Sequence, residues 1–164
     1  VGKPLLSFKE ALLTLAQHDV AFIVVGGVAA VLSGAPISTF DLDIVQERSA
    51  ENISRLLVAL NHLDARYRDP AGRVIRPEAS PLEGEGHHLL MTRCGPLDVL
   101  GKIARRYRYE DLVGESELRP VGTERVLVLG LAAQIRIKTE VGREKDRAVL
   151  SMLRRTLEES KPEK

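Results

Sequence analysis

The chain has 164 residues and 18.1 kDa, 44% of them hydrophobic and 29% charged. At the usual ~100–200 residues per domain that length predicts one domain and excludes two large ones. The 24 basic and 23 acidic residues leave a net charge of +1, so no global field attracts nucleic acid, and three Tyr, three Phe and no Trp exclude a base-stacking platform. No apolar run approaches the roughly 18 residues of a bilayer span and no secretory leader is visible, so the expectation is a cytoplasmic protein with no membrane contact.

Residues 7–18 carry Phe8, Leu12, Leu15 and Ala16 at helical spacing, and Ser7 followed by Glu10 predicts a capping box at the helix start. Residues 21–25 are wholly apolar, the pattern of a strand buried on both faces, and Gly26-Gly27 closes them. A short helix over 28–32 ends at Ser33-Gly34, and alternation over 41–45 predicts a second strand. Ser49 caps a helix that runs on Ile53, Leu56, Leu57 and Leu60 to about residue 61. Residues 68–86, dense in Pro, Gly and Glu around Val74-Ile75, read as a long loop serving as a lid. Residues 89–92 and 97–100 form a hairpin around Arg93-Cys94-Gly95-Pro96, and 118–121 with 125–127 a second strand pair. Helices over 129–140 and 144–158, parted near Gly142, close the chain. The fold class is therefore α/β (α+β): a small mixed sheet with helices packed on it and a C-terminal helical pair, in a single domain over 1–164 with its core at about 7–158.

Asp41-Leu42-Asp43 is the sharpest chemical feature, because residues i and i+2 of a strand point to one face about 6–7 Å apart. Two like charges there repel by roughly 2–3 kcal/mol at an effective dielectric of 20, and a divalent cation relieves this most directly. Mg²⁺ suits carboxylate oxygens and is commonly completed by substrate phosphates. Taken alone, an Asp-x-Asp is equally a solvated strand end. Asp98, in Pro96-Leu97-Asp98-Val99-Leu100, also stands opposite an apolar face and is a candidate third acid. Gly26-Gly27 lets backbone N–H groups approach a phosphate, although a tight strand-to-helix turn explains two glycines as well. His87-His88 are adjacent, hence on opposite faces, and read as no metal pair; Cys94 reads as a buried small hydrophobe. Arg105-Arg106-Tyr107-Arg108 reads as a solvated basic face.

The order buried strand, Gly-Gly, short helix, then Thr39-x-Asp41-x-Asp43 resembles the polymerase-β-like nucleotidyltransferase superfamily, and within it the small bacterial and archaeal members related to AbiEii-type toxins. The similarity spans about residues 21–153. Thr39 matches that family's Arg-x-Thr-x-Asp-x-Asp, while Ile37 stands in place of the arginine. Asp98 matches a third acid, and Lys138 with Lys145-Asp146 matches a C-terminal helical motif in which Val149 replaces a further acid. The resemblance implies two Mg²⁺ ions on Asp41, Asp43 and Asp98, phosphate contacts from Gly26, Gly27 and Thr39, and charge compensation by Lys138. It implies transfer of NMP from an NTP to a hydroxyl of RNA, protein or a small molecule, with release of pyrophosphate. The alternative is an inactive nucleotide- or partner-binding module of a toxin–antitoxin system, and a metal-dependent phosphohydrolase is a third reading. Asp98 facing away from the other two acids, or an arginine salt-bridged in the spot where the ions belong, would overturn this reading.

Overall fold

The computed structural model describes residues 3–162, with side chains from Phe8 onward. The first helix, α1, covers Lys3–Gln17 and so starts upstream of Ser7. Pro4 is tolerated in a first turn, where no intrahelical N–H bond is lost. The expected cap at Ser7 is therefore not taken; its side chain lies outside those described. Glu10 instead forms an ion pair with Arg93.

Strand β1 (Phe22–Val25) is buried throughout, α2 (Gly26–Leu32) leaves it directly, and β2 covers Leu42–Gln46. Helix α3 (Ala50–His62) begins at Ser49, whose hydroxyl accepts from the Asn52 N–H at 3.2 Å, as its sequence predicts. The segment expected to be a lid is anchored. It follows β3 (Arg66–Tyr67) and contributes a short helical turn, α4 (Ala79–Leu82), with Leu82 fully buried and its carbonyl held by Gln46 at 2.9 Å. Burying one leucine contributes about 1.5–3 kcal/mol, which a free lid would forfeit.

The hairpin is longer than its apolar runs suggest: β4 is His87–Thr92 and β5 is Gly95–Leu100, leaving a two-residue turn. Arg105, Arg106 and Arg108 are exposed, as expected of a solvated basic face, but they sit on a ribbon of β6 (Lys102–Ile103) and β7 (Tyr107–Arg108), and Tyr107 is buried with its hydroxyl on Glu140 at 2.7 Å. Then follow α5 (Tyr109–Leu112), β8 (Ser116–Val121) and β9 (Glu124–Leu129), so residue 129 ends a strand rather than starting a helix. Helix α6 (Leu131–Val141) stops at Gly142 in a left-handed conformation, and α7 covers Arg147–Glu159.

Seven strands form one mixed sheet in the order β3-β4-β5-β2-β1-β9-β8, with β2 parallel to β5, β1 parallel to β9 and the other neighbours antiparallel. The fold class is thus α/β, as the patterning predicts. Leu42, Ile44, Leu97 and Val99 face the layer of α1 and α3. Val25, Val45, Leu100 and Leu129 face the other way, under α6 and the β6–β7 ribbon. A third apolar cluster joins α2, α6 and α7 through Ala30, Leu131 and Leu153. Among the described residues no helix is long and apolar enough to cross a membrane.

Candidate active site

Alternation on β2 and β5 assigns the acids to a face before any tertiary contact is considered. With Leu42 and Ile44 in the α1–α3 layer, Asp43 must point to the α6 side; the parallel register that sets Asp43 beside Asp98 puts both there. Asp41 lies one residue ahead of β2 and joins them at its mouth. One carboxylate oxygen from each of Asp41, Asp43 and Asp98 lies within 4.8 Å of the other two, and all three residues are half-buried. Burial first, and the charge of Asp41 second, push the Asp43 carboxyl up to about 7, against the opposing pull of Lys138 and Arg68.

Gly26 and Gly27 are explained by close approach. Gly26 has φ +67°, and a Cβ there would fall on Asp43 Oδ2; a Cβ on Gly27 would lie 2.5 Å from Thr39 Oγ1. Only glycine lets Asp43 and Thr39 settle against this turn. Thr39 in turn donates to the Asp41 carbonyl at 3.2 Å, which fixes the entry into β2. Helix α2 has seven residues, and the glycines serve the acids next to it.

Lys138 shares with Gly26 and Asp43 a cavity of about 230 Å³ between the sheet, α6 and the ribbon. Its Nζ lies 3.6 Å from Asp146, the residue ahead of α7, which pairs with it. Arg143 lines the same cavity. His87 and His88 point to opposite faces as expected: His87 bonds the Lys102 carbonyl at the cavity edge, whereas His88 is buried against Tyr67. Cys94 is buried and its thiol is raised by burial, which suits packing rather than nucleophilic attack.

Sequence reasoning missed Arg68. Its N–H extends the ladder from β3 to the Leu89 carbonyl at 3.0 Å, and Leu89 is the register partner of Asp98. The side chain crosses two strand spacings, roughly 9–10 Å, to form an ion pair with Asp98. No local pattern announces this, because β3 meets its place only through pairing with β4. Asp41 and Asp43 make no ion pair among the described residues.

The donor set fits a hard divalent cation: three clustered carboxylates, two of them uncompensated, in a half-buried cleft. Asp41 and Asp43 are free to hold one ion. Arg68 forms the arginine bridge named above as adverse, but on Asp98 alone; a second ion, shared with Asp98, would have to displace it.

Ile37 and Val149, the two departures from the resembled family, both pack on the cluster joining α2, α6 and α7. Neither stands among the acids.

No family model matches the chain, and no curated protein sequence matches it. Solved structures do share its fold. A Thermotoga maritima protein, TM1012, provisionally described as a nucleotidyltransferase, superposes with a TM-score of 0.58 at 16% identity, over 94% of this chain and 92% of that one. The antibiotic-resistance factor ANT(2'')-Ia superposes with a TM-score of 0.57 at 14% identity, over 92% of this chain and 82% of that one. The chain therefore has a nucleotidyltransferase-like fold.

Proposed function

We propose that the protein transfers NMP from an NTP to a hydroxyl acceptor. The observation that carries this reading is the convergence of Asp41, Asp43 and Asp98 on one face of the sheet beside Gly26 and Lys138, in a fold shared with the structures above. A bound Mg²⁺ supplies Lewis-acid polarisation of phosphate oxygens and offsets their charge. Asp41 and Asp43 hold it, and their side chains are set by the register of β2 and by Gly26 rather than by flexible loops. Lys138, steadied by Asp146, neutralises residual phosphate charge, and the Gly26, Gly27 and Thr39 turn lies against the phosphates. The acceptor oxygen bonds to the α-phosphorus as the bond to the bridging oxygen breaks, and pyrophosphate leaves. Once released by Arg68, Asp98 takes the hydroxyl proton; if it instead helped hold the second ion that the resemblance implies, the proton would pass to solvent.

Incubation with α-labelled NTPs and cell extract tests this. Label should pass to RNA, protein or a metabolite, and Asp41→Asn and Asp43→Asn should lose the transfer. Wild type and variants behaving alike would sink the proposal. Release of free NMP without an adduct would establish hydrolysis instead, and Mg²⁺-dependent NTP binding without pyrophosphate release would establish a binding module. The resemblance to AbiEii-type toxins adds an antitoxin-like partner to the proposal, checked by whether expression arrests growth in a manner that depends on Asp41.

A further inference from the structure

The cavity beside the acids has a composition of its own. Leu100, Ile103, Leu129, Ile137 and Val141 give it apolar walls, and Gln134 is an uncharged polar side chain deep among them. Gln134 is only 3% exposed. Its Nε2 donates to the Leu129 carbonyl at 2.7 Å, and a carbonyl can only accept, so the orientation of the amide is fixed. Its Oε1 is then an acceptor, buried and without a partner among the described residues. Leaving such a group unpaired is unfavourable, a penalty that a bound donor removes. The opposite wall is also unusual. Ala104 and Arg105 at the tip of the β6–β7 ribbon have φ of +50° and +63°, a left-handed pair without glycine, and Ala104 lines the cavity. Strain of this kind persists where surrounding structure enforces it.

We propose that this cavity receives the base of the donor nucleotide, and that Gln134 Oε1 selects bases with an amino group at purine C6 or pyrimidine C4, adenine or cytosine, over those with a keto oxygen there, hypoxanthine, guanine or uracil. The inference rests on the nucleotidyl-transfer reading and extends it to base choice. A flat ring with N–H donors at its rim matches largely apolar walls and one fixed acceptor. A keto oxygen placed against Oε1 sets acceptor against acceptor, and the amide cannot flip without abandoning Leu129.

The test uses the full chain with Mg²⁺ and compares binding of ATP, ITP, purine-riboside triphosphate, CTP and UTP by calorimetry. ITP differs from ATP in carrying a keto oxygen where ATP has its amino group, and purine-riboside triphosphate lacks that group altogether. ATP should bind at least tenfold more tightly than ITP, with purine-riboside triphosphate between them, or CTP should exceed UTP by a similar factor. In Gln134→Leu the discrimination should collapse to within about twofold while affinity for the triphosphate persists. The analogue series on unaltered protein keeps the test valid if that variant folds poorly. Equal binding of amino and keto bases, or discrimination that survives in Gln134→Leu, would overturn the inference and leave nucleotidyl transfer standing, with Oε1 satisfied by water alone. Absence of Mg²⁺-dependent binding for every triphosphate would overturn both.

Discussion

The guanidinium of Arg68 reaches across Leu89 to pair with Asp98, so a side chain from the sheet edge neutralises one of the three clustered carboxylates. In the absence of a bound cation this is the protein's own compensation for crowded negative charge. It contests the second ion position while leaving Asp41 and Asp43 open.

Removing that competitor should strengthen cation binding. Arg68→Ala is expected to tighten Mn²⁺ or Mg²⁺ affinity roughly tenfold, about 1.4 kcal/mol, and to raise the stoichiometry from one ion toward two. Calorimetric titration reads both quantities. Unchanged affinity and stoichiometry would show that Arg68 leaves the site freely.

Asp43 is held in a half-buried position beside Asp41 at a cost to stability. Asp43→Asn should therefore stabilise the cation-free protein by roughly 0.5–2 kcal/mol, a rise of a few degrees in Tm, while abolishing cation-induced stabilisation. Thermal melts with EDTA and with Mg²⁺ would show the two effects moving in opposite directions. A variant less stable than wild type in EDTA would contradict the argument.

Gly26 carries two constraints and Gly72 only one. Both have left-handed φ, but a Cβ on Gly72 meets nothing within 4 Å, whereas one on Gly26 meets Asp43. Gly72→Ala should cost about 1–2 kcal/mol for the backbone alone. Gly26→Ala should cost a further ~1–3 kcal/mol from overlap and should weaken cation binding by displacing Asp43. Urea denaturation and metal titration of the pair separate conformational strain from displacement of the ligand.

His88 predicts an acid-sensitive fold. Burial pushes its imidazole below the ordinary value of 6.5, with His87 adding to the effect; its Nδ1 is 2.8 Å from the Tyr67 hydroxyl. Below 6.5 the unfolded chain binds a proton that the folded chain resists. The unfolded state then holds more protons, and stability falls as pH drops, whereas above 6.5 the contribution is fully present. Denaturation curves at pH 7.5 and 5.5 should show a smaller loss in His88→Phe than in wild type. Equal losses would assign the acid sensitivity to other groups.

Much of the site is legible in the chain alone. Leu42, Ile44, Leu97 and Val99 declare a buried face, and strand alternation then puts Asp43 and Asp98 opposite it; the helix cap at Ser49 is equally local. The anchoring of residues 79–82 and the β6–β7 ribbon are not legible, because each depends on a partner far away in sequence. Leu82 is buried by packing and by Gln46, and Tyr107 by Glu140.

Local spacing thus determined which residues carry charge and which way a strand turns them, since the pleat repeats every two residues whatever the neighbours. Only tertiary structure decided that β2 and β5 run side by side in register, that Arg68 answers Asp98, and that Gln134, on α6, is buried with an acceptor unpartnered among the described residues. Those relations are set by strand order and layer packing, where long-range contacts must outweigh the entropy of bringing distant segments together.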